Sequence, residues 1–398
     1  MESLEKLISE FFSDIDEKPY KNALEERRLY LDFVDMLLYL SLGIVQNAPD
    51  IMSGFVGIAF KACDDTFYTG EDISFYGREK IREIFRILLK KSSLSPGLPI
   101  SELFMEEHLE PVEMLAFLLA FASDANRKYE NVFETLSGAD NEKRPTCGIC
   151  HDIGMLFLSE GENDISILLR SDSYLNRILL EPSGGVLLTK AARPLVLGRA
   201  ALSYACGINE LSGDVKRCAY IIEPAGEEYT AREEEYEKIK LYLNAALKGD
   251  NGGIIELCAT CGNGRRYLLG KLCRDMGCNI IAADVNKLLA LDGALREKIV
   301  SDICIKALLF KDMVYFYGVD DKNEDTDAFL SLLTLAKSYI KAVIIGSEKP
   351  LNEKKRALFG NSYYLIEFPE ADISEQKMLW QQALIRENAV FSEQIDMG

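Results

Sequence analysis

The stretch IIELCATCGNGRRYLLGKLCRDMGCNIIAADV, residues 254–285, decides how the chain is read. It opens with an apolar run short enough for a buried strand and turns through Gly262 and Gly264. It continues at helical spacing, then returns to a second apolar run ending in Asp284. A glycine turn feeding a helix N-terminus presents backbone N–H groups and the positive end of the helix dipole to an anion. Nucleotide phosphate is the natural ligand of such a turn.

Two nucleotide-binding patterns compete for these residues. The P-loop spacing G-x-x-x-x-G-K-[ST] falls on Ala259 to Arg266, with Gly262 and Gly264 in place. Arg265 then stands where the phosphate-binding lysine belongs, and Arg266 where the Mg²⁺-binding hydroxyl belongs. In the dinucleotide or methyltransferase pattern, Glu256 and the Gly262 to Gly264 turn would hold S-adenosylmethionine, with Asp284 on a ribose hydroxyl. Strand order is expected to separate them. A first strand between the third and fourth, with no antiparallel final strand, marks the P-loop pattern; a seven-stranded sheet with a reversed terminal hairpin marks the other.

Around this stretch, strand and helix patterns alternate. Strands are predicted at Gly253–Cys258, Cys278–Asp284, Met313–Val319, Lys341–Ser347 and Tyr363–Phe368. Helices are predicted at Arg266–Asp275, on to about Phe310, at Asp325–Ser338 and at Ser374–Leu384. Such alternation implies a five-stranded parallel sheet covered on both faces, with ligands at the carboxyl ends of its strands. Immediately upstream, residues 226–249 read as a charged amphipathic connector helix with i, i+4 Glu and Lys pairs and a Gly stop. Its acidic run Glu233 to Glu237 reads as a solvated face.

Further upstream the period is helical from Leu4 to about Lys91, and SSLSPGLP, residues 92–99, reads as a connection between domains. The next segment opens with Pro111 at a helix start and the apolar VEMLAFLLAF run. β-compatible runs follow over Asn163 to Leu180, and GGVLLT and RPLVLG, residues 184–189 and 193–198, read as a small hairpin or wing. The division is therefore a helical domain over 1–95, a winged-helix-like domain over 96–225, and a P-loop NTPase-like α/β domain over 226–398.

Composition bounds the function. Lys plus Arg number 45 against 64 Asp plus Glu, a net charge of −19, and no basic tract stands out, which argues against nucleic acid and anionic lipid as partners. The densest apolar stretches, Met36 to Val45 and Met114 to Ala122, are shorter than the ~20 residues that cross a bilayer. The acidic, amphipathic first residues lack the pattern of a secretory signal, so a cytoplasmic location is expected. Two histidines, His108 and His151, leave little for His-based zinc sites or catalytic triads.

Among ten cysteines, Cys147-Gly-Ile-Cys150-His151 spells the c-type haem attachment motif. Without an export signal it reads instead as a core helix start with buried thiols. Cys258 and Cys261 form a second C-x-x-C too distant from the first for an ordinary zinc ribbon, and no metal is expected there.

The chain as a whole resembles the AAA-type ATPases associated with bacterial contractile injection systems. The resemblance is carried by residues 100–133, by RPTCGICHDIG at 144–154, by the runs at 170–182 and 193–207, and by the turn at 259–266. LLFKDMVYFYGVDD, residues 308–321, resembles a Walker B strand, AVIIGSEKP, residues 342–350, a sensor strand, and LIEFPEADISEQKMLW, residues 365–380, the end of the large ATPase subdomain. It implies ATP or ADP held at Thr260, Cys261, Gly262, Asn263, Gly264, Arg265 and Arg266. Asp320, Asp321 and Ser347 would stand nearby, with the part played by Mg²⁺ left open.

Departures from that pattern point away from hydrolysis. Arg266 cannot coordinate Mg²⁺, and Arg265 does not replace a lysine conservatively. Tyr317 and Gly318 stand where the Walker B acids belong, and Asp320 and Asp321, two or three positions later, read as turn residues. Ser347 ends the sensor strand, and LFGNS, residues 358–362, offers no arginine finger. The expected function is the N-terminal part of an AAA-type ATPase. Its degenerate module would be structural, assembling or regulatory, with weak or no ATP hydrolysis and no activity by itself. Its partners would be proteins or further copies in an ATPase ring, with catalysis in a second module beyond residue 398. The alternatives are a methyltransferase-like domain and a pure interaction scaffold.

Overall fold

The computed structural model describes residues 12, 15–44, 75–107, 109–137, 143–181, 190–224, 232–249, 252–260, 263–320, 327–370, 373 and 377. Contacts divide the chain into two compact units, Met1–Glu210 and Leu211–Gly398.

In the first unit the principal helices are α1 (Ala23–Ile44), α2 (Phe75–Ser93), α3 (Pro99–Glu106), α4 (Pro111–Ala125), α5 (Tyr129–Ser137), α6 (Cys147–Gly154) and α7 (Arg199–Ala205). Helix α4 starts on a proline and a Glu110–Glu113 capping box, and it is buried around most of its circumference from Val112 to Ser123. An apolar surface of that extent can only be satisfied at the centre of a bundle. Leu98, at the N-cap of α3, has no side-chain acceptor to offer. The fully buried Glu26 of α1 supplies one, accepting from the N–H groups of Ser101 at 2.7 Å and Ile100 at 3.3 Å.

That contact spans the 92–99 segment, which the sequence presents as a boundary. Ser95 is itself buried, and its hydroxyl accepts from the N–H of Tyr20 at 2.8 Å. The segment is thus an internal turn of one unit. Residues 163–180 also differ from the β-compatible reading: they form a helical turn at Ile165–Leu168 and a π-type turn at Leu175–Leu179. Local side-chain bonds explain the difference. Asp164 accepts from the N–H of Ser166 at 2.8 Å, and the Asn176 amide donates to the carbonyls of Leu168 at 2.9 Å and Arg170 at 2.7 Å. Of the expected hairpin, residues 184–189 lie outside the described residues. Residues 193–198 contribute only isolated bridges, Thr146 to Pro194 and Leu180 to Leu197.

The second unit contains a six-stranded sheet of β1 (Ala219–Ile222), β2 (Gly253–Cys258), β3 (Ile280–Asp284), β4 (Met313–Val319), β5 (Ala342–Ser347) and β6 (Tyr363–Glu367), in the order β1-β3-β4-β5-β2-β6. Its principal helices are α8 (Glu233–Lys248), α9 (Arg265–Met276), α10 (Val285–Leu289), α11 (Gly293–Phe310), α12 (Asp327–Tyr339) and α13 (Glu353–Phe359). The expected all-parallel five strands are present and parallel, but β1 adds an antiparallel edge on β3. Counting the parallel strands along the chain, their order is 2-3-4-1-5. The first strand therefore lies between the fourth and fifth, not between the third and fourth.

Alternate residues of each strand enter opposite cores. Ile254, Phe316 and Ile345 pack with α10, α11 and α12 on one face. Ile255, Leu257, Tyr315 and Ile344 pack with α8 and α9 on the other. Among the described residues, no helix is long and apolar enough to cross a membrane.

Candidate functional site

The sequence-derived site lies where β2 passes into α9. Cys258 and Ser347 are register partners, so β2 and β5 end side by side in the middle of the sheet. Beyond them the chain runs through Ala259 and the exposed Thr260 to Asn263 and Gly264; Cys261 and Gly262 lie outside the described residues. Gly264 is the N-cap of α9 at φ 81° and ψ 0°, a left-handed conformation that suits glycine.

The side chains of Asn263, Arg265 and Arg266 are committed to protein groups. Asn263 is buried; its Oδ1 accepts from Arg232 at 2.6 Å, and its Nδ2 donates to the Pro369 carbonyl at 3.0 Å. Arg265 folds back over the strand ends, where Nη1 donates to the carbonyls of Ser347 at 2.7 Å and Leu257 at 3.1 Å. Arg266 places its guanidinium 5.2 Å from the centre of the Tyr220 ring.

At the carboxyl end of β4 stand Tyr317 and Gly318, the two positions where the sequence resemblance implies acids. The ring centre of Tyr317 lies 5.8 Å from that of Tyr220 and 6.1 Å from that of Tyr315. Burial and the nearby Asp284 push the Tyr317 hydroxyl up to about 12. Gly318 occupies a bulge at φ 82°, and its carbonyl accepts from Asn286 Nδ2 at 3.0 Å. Asp320 is half-buried just past the strand, and Asp321 lies outside the described residues.

The remaining candidates are occupied elsewhere. Ser347 is buried and donates its hydroxyl to Glu256, whose carboxylate also accepts from the Leu351 N–H at 3.0 Å. Glu256 is fully buried at mid-strand, and Asp284 caps α10 by accepting from the N–H groups of Asn286 at 3.0 Å and Lys287 at 3.3 Å. Cys258 is a buried thiol pushed up chiefly by burial. Cys147 and Cys150 are free, buried thiols in the first turn of α6, in keeping with a core helix start. Among the described residues no cluster of three His, Cys, Asp or Glu side chains suits a metal ion.

The structure thus brings Arg265, Ser347 and Glu256 together and sets Arg266 against Tyr220 and Tyr317. Tyr315 and Tyr317 alternate in the sequence, a spacing that places both on one face of a strand. Tyr220 carries no such signal, because its strand is only four residues long, and Arg232 falls in a segment whose charge pattern is that of a connector helix.

The chain matches no protein-family model and no curated protein sequence. Among solved structures, it is similar to one described as the structural basis for katanin self-assembly: identity is 14%, TM-score 0.35, and coverage 47% of this chain and 69% of that one. It is also similar to C. elegans PCH-2, at 17% identity and a TM-score of 0.28, covering 42% of this chain and 49% of PCH-2, so that it spans about half that protein's length. A third is the E. coli MS115-1 HORMA:CdnC:Trip13 complex, at 10% identity and a TM-score of 0.29, covering 46% of this chain and 79% of the matched one.

Proposed function

We propose that residues 211–398 form an AAA-type P-loop module that no longer performs phosphoryl transfer and acts through protein contacts, in assembly or regulation. The observation that carries this reading is the 2-3-4-1-5 order of the parallel strands, with a left-handed glycine opening the helix after the central first strand. In dinucleotide-binding folds the first and second parallel strands are neighbours. Here the first strand lies one place beyond the position expected from the sequence, but two strands separate it from the second and the final strand is parallel, which favours the P-loop reading over a methyltransferase-like one.

Loss of chemistry follows from the side chains at that strand end. Phosphoryl transfer depends on positioning and on positive charge around the transferred group, including a metal held by a hydroxyl and an acid. Arg266 and Tyr317 stand in those two places and ligate no Mg²⁺. Losing even one such group costs on the order of 10²-fold or more in rate. The winged-helix-like reading of residues 96–225 rests on the pattern of helical and β-compatible runs, and the contractile injection system and assembly into a ring rest on the sequence resemblance.

Phosphate release from ATP by the purified chain tests the proposal. The expected rate equals the background with or without Mg²⁺. Magnesium-dependent turnover by this chain would overturn it.

A further inference from the structure

Resting on the P-loop reading of residues 253–276, we propose that Arg265 is a built-in substitute for nucleotide. Its guanidinium closes the carboxyl end of the sheet from inside, and the module keeps its shape with no phosphate bound.

The strand ends show the need for such a group. Carbonyls at the carboxyl edge of a parallel sheet have no further ladder partner, and buried ones must find a donor elsewhere. The Cys258 carbonyl accepts from the Phe368 N–H at 2.9 Å, and the Ser347 carbonyl accepts from the Ala259 N–H at 3.0 Å. Beside them lie the carbonyl of Leu257, one residue inside the end of β2, and the second lone pair of Ser347. Arg265 Nη1 serves both, at 3.1 and 2.7 Å, and so spends its two protons on tying β2 to β5.

A lysine at this position would carry its charge on a single rotatable ammonium, able to leave the strand ends for an arriving anion. The planar guanidinium is held by the two carbonyls it bridges. A phosphate that drew it away would break both of these charged hydrogen bonds and with them the tie between β2 and β5. The neighbouring side chains are committed in the same inward sense: Asn263 to Arg232 and Pro369, Arg266 to Tyr220, and Ser347 to Glu256. Asn263, Arg265, Arg266 and Ser347 thus all turn toward the protein's own groups.

Thermal unfolding of the full chain, alone and with ADP, ATP or pyrophosphate, with and without Mg²⁺, tests this. Wild type is expected to shift by less than about 1 °C at millimolar ligand, since a ligand that does not bind cannot stabilise. Arg265→Met is expected to lower the Tm by about 4 °C or more through loss of two charged hydrogen bonds. Arg265→Lys is expected to lose part of that stability and to regain it on adding pyrophosphate or ADP.

Stabilisation of wild type by any of these ligands would overturn the proposal, as would an unchanged Tm for Arg265→Met or an Arg265→Lys that no ligand restores. If Arg265→Met fails to fold, the wild-type and Arg265→Lys arms still decide. Nucleotide stabilisation of wild type without turnover would defeat this proposal alone, whereas magnesium-dependent hydrolysis would defeat the reading on which it rests.

Discussion

Gly346 shows how a single residue shapes the strand ends. A Cβ built there would lie 2.1 Å from the Tyr315 hydroxyl and 2.7 and 2.8 Å from two of its ring carbons. The glycine is required by close approach, because Tyr315 crosses from β4 over β5 to lie beneath the strand ends. Gly346→Ala is therefore expected to destabilise the second unit by about 2 kcal/mol, in the range of overpacked cores. Tyr315→Phe removes the nearest atom but leaves the ring, so in the double variant it should recover only part of that loss. A urea-denaturation double-mutant cycle measures the coupling, and additive losses would show that the tyrosine is not what excludes the methyl group. The sequence showed Tyr315 and Gly346 as a strand aromatic and a strand glycine; that they meet is a matter of register, which no local pattern contains.

At the scale of elements, Glu256 joins three pieces of the second unit. Its carboxylate, at mid β2, holds the hydroxyl that ends β5 and the N–H of Leu351, two residues before α13. Removing a buried acceptor leaves two donors unsatisfied, so Glu256→Ala is expected to cost about 3 kcal/mol of stability. Glu256→Gln, which keeps a carbonyl at Oε1, should cost roughly 1 kcal/mol. Equal losses in the two variants, read from denaturant midpoints at unchanged slope, would show that packing rather than hydrogen bonding matters here. The strands around Glu256 were legible because each is a short apolar run between turn signals. The network was not, since a charged residue inside an apolar run looks the same whether it faces a ligand or a neighbouring strand. Residues 163–180 failed for the opposite reason: their apolar spacing allows strands, but Asp164 and Asn176 satisfy backbone groups locally and favour turns.

At the scale of the whole molecule, the position of the boundary between the two units is a physical claim. The charged helix at 226–249 suggested a start at 226, whereas contacts place it at Leu211. The difference is β1 and the turn before it. Leu211, Val215, Cys218 and Ala219 lie in one core of the sheet and Ile222 in the other. The Cys218 carbonyl accepts from the Asp284 N–H at 2.8 Å, extending the β1–β3 pairing to the end of β3. Without this segment β3 becomes an exposed edge, a liability for association as well as stability. A fragment of residues 211–398 is therefore expected to unfold in one cooperative transition. A fragment of 226–398 forfeits burial on the order of 5 kcal/mol and should melt more than about 10 °C lower or self-associate. Calorimetry with light scattering on the two fragments measures both effects. Fragments of equal stability would return the boundary to residue 226 and reduce β1 to an ornament on a sheet complete without it.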